Sequence, residues 1–432
     1  MTSTNSAQGK PRRLLGELPL ETAEIPQALL NIENKDRSNL LPWSGQFSPQ
    51  FVEALLTAYA PPQAVILDPF AGSGTVLYEA ARRHLHAVGA ELNPAAYLLS
   101  SVYRLINVET RERNQLLARL DELIERAFPD SLPLFAPCTN DQTADECKSV
   151  LTVLARAADD PFVRLLLQAL IIRLDFYQDG LSREKIRTMW HRLRALVLHL
   201  PFSPNRLDIF HCDARVIPIT GKVVDLVVSS PPYINVFNYH QQYRASAEAL
   251  GWDLLAIAKS EIGSNRKHRG NRFLTVIQYC LDLAQVFARL SATLKPTGRV
   301  VFVLGRESRV RGVPFHNGEI AALLGTRCGS FQLKTRQERV FKNRFGASIY
   351  EDILHFTEPP GTCRDPLPEA RRIAGEMLNE AKKSAPREVI SDLEAAAERL
   401  GEIEPSPCYQ NQATSRSKET PHDSAQFSYA TS

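Results

Sequence analysis

An apolar run at residues 64–67 ends in Asp68-Pro69-Phe70-Ala71-Gly72-Ser73-Gly74-Thr75, and apolar residues at helical spacing follow from 76 to 84. Gly72 and Gly74 allow a sharp backbone turn and close approach to a ligand. The helix that follows turns its N-terminal N–H groups toward the same place. A second apolar segment, 86–92, ends in Gly89-Ala-Glu91-Leu-Asn-Pro94. An acid about 20 residues beyond a glycine turn suits the diol of a ribose. The order strand, turn, helix, strand reads as half of a parallel α/β sheet. No Gly-Lys-Ser/Thr follows the turn, which excludes a phosphate loop.

Strand patterns return at 206–211, 223–229 and 299–304. A helix over 276–294 and a Pro/Gly turn at 295–298 precede the last of these. Segments 331–340 and 348–356 pattern as an antiparallel closing pair. Between the two sheet halves, apolar residues recur at helical spacing over 116–123, 150–157, 163–174 and 186–200, with Pro129, Pro133 and Pro137 interrupting. The expected fold class is therefore α/β, a Rossmann-like, mostly parallel sheet with an antiparallel closing strand and an all-helical insertion. Five segments are expected: a polar, poorly ordered stretch at 1–36, a cofactor half at 37–105 and the insertion at 106–205. A catalytic half at 206–357 and a helical, then disordered, tail at 358–432 complete the chain.

The longest apolar run, 165–172, is far short of the roughly 20 residues that span a bilayer. Lys10, Arg12 and Arg13 precede a leucine-rich stretch, but Glu17 and Pro19 break it and no small-residue cleavage site follows, so no signal peptide is expected. Seven cysteines without a C-x-x-C pair argue against a disulfide framework or zinc ribbon and predict a chain of the reducing cytoplasm. Net charge is +3, yet residues 259–350 hold 17 Lys/Arg against 5 Asp/Glu, a local +12. The segment 106–205, with 13 against 14, is near neutral. Such a basic block predicts an anionic partner, nucleic acid being the commonest.

A second constellation is Asp225-Leu-Val-Val-Ser-Ser230-Pro231-Pro232-Tyr233. The two prolines end the strand and fix a rigid turn. That turn presents a hydroxyl, backbone carbonyls and an aromatic ring at the carboxyl edge of the sheet, where open α/β sheets bind ligands. Upstream, Asp213 closes another strand in the same way.

The two strings resemble those of the amino-methylating DNA methyltransferases that use S-adenosyl-L-methionine. The resemblance spans 41–105 and 206–357, about half the chain. It implies that Asp68, Pro69, Phe70, Ala71, Gly72, Ser73, Gly74 and Thr75 form the cofactor motif, with Glu91 on the ribose and Asp213 at the adenine. Leu41-Pro-Trp-Ser-Gly-Gln-Phe47 resembles, more loosely, the family's motif over the methionine end, with Phe47 as its contact. Ser230, Pro231, Pro232 and Tyr233 resemble the catalytic motif. In that family Ser-Pro-Pro-Tyr is typical of cytosine-N4 enzymes, and Asp- or Asn-Pro-Pro-Tyr/Phe of adenine-N6 enzymes. The implied partners are double-stranded DNA and a restriction endonuclease acting on the same site, with neither membrane nor metal involved. The chain departs from the common arrangement in the helical residues that separate the two motifs.

An exocyclic amine is a poor nucleophile because its lone pair is delocalised into the ring. Acceptors on its protons free that pair, a role expected of the Ser230 hydroxyl oxygen and the Pro231 carbonyl. The base must leave the duplex stack, and Tyr233 is expected to stack on it. Arg266, Lys267, Arg269 and Arg272 are expected to clamp the DNA backbone, with Arg336, Arg339, Lys342 and Arg344 as a second set. Cytosine-C5 chemistry would need a Pro-Cys nucleophile, and Pro137-Cys138 lies in a loop-like stretch instead. Adenine-N6 methylation, RNA guanine-N2 methylation and a silent nucleic-acid-binding module stand as alternatives. An N-terminal RNA-binding domain is the usual companion of a guanine-N2 enzyme, and only 36 residues precede the region here.

Overall fold

The computed structural model describes residues 14–32, 36–129, 143–176, 180–234, 239–264, 268–343, 346–357 and 365–409. Strands β1 (Val65–Asp68), β2 (His86–Glu91), β3 (Leu207–His211), β4 (Val224–Ser229) and β5 (Leu294–Gly305) come first in the chain. A hairpin of β6 (Glu307–Val310) and β7 (Val313–His316) follows, then β8 (Gln332–Lys342) and β9 (Ser348–Thr357). Seven strands form one sheet in the order β3-β2-β1-β4-β5-β9-β8, and β6 and β7 pair apart from it. β1 to β5 run parallel, while β9 is antiparallel to both of its neighbours. This is the Rossmann-like sheet that the strand pattern predicts.

The sheet's direction of growth reverses between β1 and β4, so a crevice opens at their carboxyl ends. Every residue of β1 is buried. Helices on both faces explain why it reads as an unbroken apolar run. The helix Thr75–Arg82 leaves the glycine turn and packs on β1 and β2.

Four helices fill the expected insertion among the described residues: Thr110–Ala127, Ala144–Ala157, Pro161–Leu174 and Arg183–Leu198. Thr143 and Glu146 form a capping box, and Asp160 and Ser182 cap the next two helices. Leu166, Leu170 and Ile171 belong to the same apolar cluster as Ile66, Leu77 and Leu99. The helical segment is thus fused to the first half of the sheet through a shared core.

Three expectations change. The N-terminal segment is not loose from Leu14 onward: Leu15, Ile25 and Leu30 are buried, and Leu20 pairs with Arg336 of β8. The Glu21 N–H donates to the Arg336 carbonyl at 2.8 Å, so this segment covers the sheet's edge strand, whose backbone groups need partners. The turn at 295–298 is absorbed into β5 as a bulge, in which four residues stand opposite Asp225, and Lys295 Nζ lies 2.9 Å from both Asp225 oxygens. Beyond the helices Leu367–Lys382 and Arg387–Glu398, the tail does not leave the molecule at Pro405. Ser406 is buried and donates to Asp282 from both its N–H (2.7 Å) and its hydroxyl (2.6 Å). Residues 1–13, Pro137, Cys138 and 410–432 lie outside the described residues.

Candidate active site

A cleft lies over the carboxyl ends of β1, β2 and β4. Asp68 at the end of β1, Glu91 at the end of β2 and Ser230 just beyond β4 all line it. Ser229 Oγ donates to Asp68 Oδ1 at 2.5 Å, which joins two motifs that stand 161 residues apart in sequence. Pro69, Phe70, Ala71, Gly72, Ser73 and Thr75 form the floor. Trp43, Ser44, Gly45, Gln46 and Phe47 form the roof. Ser73 Oγ donates to Gln46 Oε1 at 2.8 Å and ties roof to floor. Gly72 has φ +52°, and a Cβ there would lie 3.1 Å from Trp43 Cδ1. Gly74 is placed otherwise than expected. It is absent from the lining, and a Cβ on it would meet Ser100 Cβ and Tyr103 at 2.9 Å, so its smallness serves helix packing.

Four carboxylates line the cleft, those of Asp68, Glu91, Asp213 and Glu261, and among the described residues no Lys, Arg or His does. A pyrophosphate-bearing dinucleotide would be repelled there, and a cation attracted. Glu91 accepts from the N–H groups of Gly72 (2.8 Å) and Asn93 (2.7 Å). Burial pushes both Asp68 and Glu91 up to about 7, against the hydrogen bonds each accepts. A cationic ligand favours their ionised forms, so its binding releases protons. Affinity for S-adenosylmethionine is therefore expected to fall as pH drops from about 8 to about 6. Calorimetry in two buffers of different ionisation enthalpy checks this, and a flat affinity with no proton release contradicts it.

Asp213 reaches the cleft wall, but its oxygens already accept from the Arg215 N–H (3.0 Å), Nε (2.9 Å) and Nη2 (2.6 Å). Three of roughly four acceptor positions on the carboxylate are thus taken. Arg215 also donates to Asp282 Oδ1 at 2.8 Å and to the Ser406 carbonyl at 2.7 Å. The C-terminal strap therefore locks the acid at this end of the cleft.

In the string Ser230 to Tyr233, Ser230 and Pro232 line the cleft, whereas Pro231 is buried and does not. Tyr233 is half-buried beside the lining, with Ser230 Oγ 3.2 Å from its Oη. Its ring lies over Gly305, where an added Cβ would come within 2.9 Å of Tyr233 Cε2.

The opposite wall was not foreseen. Tyr239, Ser260, Glu261 and Ile262 complete it. Tyr239 stacks on Trp43 with ring centroids 6.4 Å apart, and the Glu261 carboxylate lies 2.7 Å from Nδ1 of buried His240. No local motif marks these residues, although they follow the catalytic string closely. His211 is packed among Tyr97, Trp252 and Tyr409, as befits a structural residue. Among the described residues no group of three or more His, Cys, Asp or Glu could hold a metal. No described helix is long and apolar enough to cross a membrane.

Of the expected DNA clamp, Arg266 and Lys267 lie outside the described residues, Arg269 is exposed and Arg272 is partly buried. Two members of the second set are corrected, while Lys342 is exposed. Arg336 binds Asp352 Oδ1 at 3.0 Å, and Arg339 pairs with Glu351 and packs against the rings of Phe51 and Phe341. These two guanidiniums neutralise buried acids and are spent on the fold. Arg344 lies outside the described residues.

Residues 23–101 match the family described as DNA methylase, of the amino-methylating N6/N4 type. This stretch carries that family's pattern. The Type II methyltransferase M.MjaII of Methanocaldococcus jannaschii is 34% identical over 61 residues, which cover 14% of this chain and 12% of that protein. The match therefore spans a small part of the relative's length. Among solved structures, a SAM-dependent methyltransferase from Methanosarcina mazei aligns with 70% of this chain and 96% of its own, at 11% identity and a TM-score of 0.31. An rRNA methyltransferase, aviRa, from Streptomyces viridochromogenes aligns over 78% and 93%, at 11% identity and a TM-score of 0.30.

The cleft fits the cofactor of the methyltransferase family. S-Adenosylmethionine carries a sulfonium and an ammonium, and the lining offers buried acids without a competing base.

Proposed function

We propose that this chain transfers a methyl group from S-adenosylmethionine to the exocyclic N4 amine of cytosine in double-stranded DNA. The observation that carries the reading is the position of Ser230. Ser230 lines the same acidic cleft as Asp68, at the proline turn that follows β4. When bound, the cofactor supplies a methyl carbon made electrophilic by its positive sulfur. The chain's own groups then have three tasks. Ser230 Oγ and the Pro231 carbonyl accept hydrogen bonds from the amine and free its lone pair. Asp68, Glu91 and the roof hold the methyl donor still, so the acceleration is positioning plus electrostatics. Tyr233 offers a ring on which an extruded base stacks.

Serine at the first position of the motif supports cytosine-N4 over adenine-N6. By the same resemblance, a restriction endonuclease of matching site is the protein partner this reading implies, and both would act in the cytoplasm. The DNA backbone is assigned to residues 264–272, which follow the cleft-lining residues 260–262 in sequence. Incubation with methyl-labelled S-adenosylmethionine and either duplex DNA or structured RNA tests the reading. Label in DNA is expected, and label in RNA alone sinks it. Neutralising Arg266, Lys267, Arg269 and Arg272 together is expected to weaken DNA binding and flatten its salt dependence, with cofactor affinity intact. Each lost phosphate contact lowers the log–log slope by about 0.9. A slope as steep as the parent's would mean that DNA follows another surface.

A further inference from the structure

The last described residues, 403–409, form neither helix nor strand, yet they are tied down along their length. Arg371 Nη1 donates to the Leu400 carbonyl at 2.8 Å and also to the Ile403 carbonyl, and Gln278 Nε2 donates to the Glu404 carbonyl at 3.0 Å. Ser406 donates twice to Asp282, on the helix Leu274–Thr293. At the far end the Tyr409 ring packs on His211, with centroids 5.6 Å apart. His211 closes β3, and its Nε2 lies 2.9 Å from the Leu92 carbonyl. Leu92 and Asp213 both line the cleft. The strap therefore reaches the cleft by two routes, and both end on residues that follow β2 and β3.

The route through Ser406 is the rigid one. A guanidinium is planar, with five N–H donors in a fixed fork, so the groups that hold its outer edge also set the direction of its inner edge. In Arg215 the inner edge, Nε and Nη2, faces Asp213 at 2.9 and 2.6 Å. Nη1 is held by Asp282 at 2.8 Å and by the Ser406 carbonyl at 2.7 Å, and Nη2 also reaches the Pro407 carbonyl at 3.3 Å. The side chains of Arg215 and Asp213 are each only 2% exposed and that of Asp282 is fully buried, so water does not compete for these contacts. Two of the three hydrogen bonds that Asp213 accepts come from this guanidinium. Its orientation thus decides where the remaining acceptor position of the carboxylate points.

We propose that the strap 403–409 is part of the cofactor site, with Ser406 a positioning residue that aims Asp213, through Asp282 and Arg215, at the adenine amine. The inference rests on the expectation that Asp213 meets adenine, and it gives the C-terminal residues a part in choosing the base of the cofactor. Ser406→Ala takes from Asp282 the hydroxyl that it accepts at 2.6 Å. A buried carboxylate that loses a donor draws harder on those that remain, and Arg215 is the charged one among them. The guanidinium then shifts toward Asp282 and turns the Asp213 carboxylate with it.

The test uses the full chain and two ligands, S-adenosylhomocysteine and its deaminated form, S-inosylhomocysteine, in which a carbonyl replaces the adenine amine. Calorimetric affinities are measured for the parent, Ser406→Ala and Ser406→Thr. The parent is expected to prefer the adenine form by at least about 30-fold, because a carbonyl facing a carboxylate leaves both acceptors unpaired. Ser406→Ala removes one oxygen and keeps the fold, which a melting curve checks. It is expected to lose roughly tenfold for the adenine form, the scale of one misplaced hydrogen bond to a charged group, and less than about twofold for the hypoxanthine form. Ser406→Thr keeps the hydroxyl and is expected to restore the parent's preference. A merely structural role would weaken both ligands alike. Equal losses for the two ligands, or an unchanged preference in Ser406→Ala, overturn the inference while leaving Asp213 at the adenine. A parent that binds both ligands equally overturns the place of Asp213 as well, and one that binds neither overturns the cofactor assignment along with them.

Discussion

Replacing Gly72 by valine is expected to abolish S-adenosylmethionine binding while leaving the sheet folded. Gly72 sits at φ +52°, a conformation that costs an L-residue roughly 1–2 kcal/mol, and a β-branched one more. Its Cβ would lie 3.1 Å from Trp43, the ring that roofs the cleft and stacks on Tyr239. The loop must then move, and the Gly72 N–H that holds Glu91 at 2.8 Å is lost with it. A hydrogen bond to a charged group is worth about 1.5–3 kcal/mol. Together these losses amount to at least about a hundredfold in affinity, at 1.4 kcal/mol per factor of ten. Calorimetry with a melting-temperature control reads the result, and unchanged affinity would remove the glycine loop from the cofactor site.

Tyr233→Ala is expected to bind the cofactor as the parent does and to lose turnover. Tyr233 is absent from the cleft lining, so nothing that holds the cofactor is removed. Stacking of an extruded base is worth roughly 1–3 kcal/mol. The structure adds a second loss, because the phenol that anchors Ser230 at 3.2 Å goes too. The combined effect on kcat is expected to reach at least about a hundredfold. Near-normal turnover would mean that the base is held elsewhere.

What was legible in the sequence was local. The strand ending in Asp68, the glycine turn and the helix Thr75–Arg82 occupy consecutive residues, so period and turn chemistry are enough to read them. Ser230 to Tyr233 are legible for the same reason. The hairpin β6–β7 alternates buried and less buried residues over only four positions in each strand, too short for the period to stand out. Non-local pairing hid the rest. Arg215 meets Asp282 and Ser406 across 67 and 191 residues, and nothing near Ser406 announces that it will be buried. Net charge also misled at Arg336 and Arg339. A count of basic residues registers a cation whether it faces solvent or a buried acid such as Asp352 or Glu351.

In the proposed reaction Ser230 activates the N4 amine of cytosine. Mass spectrometry of nucleosides from duplex DNA treated with the purified chain and S-adenosylmethionine tests it most directly. N4-methylcytosine is the expected product, absent when Ser230 is replaced by alanine. N6-methyladenine in its place, or N4-methylcytosine formed equally well by the Ser230→Ala variant, would contradict the account.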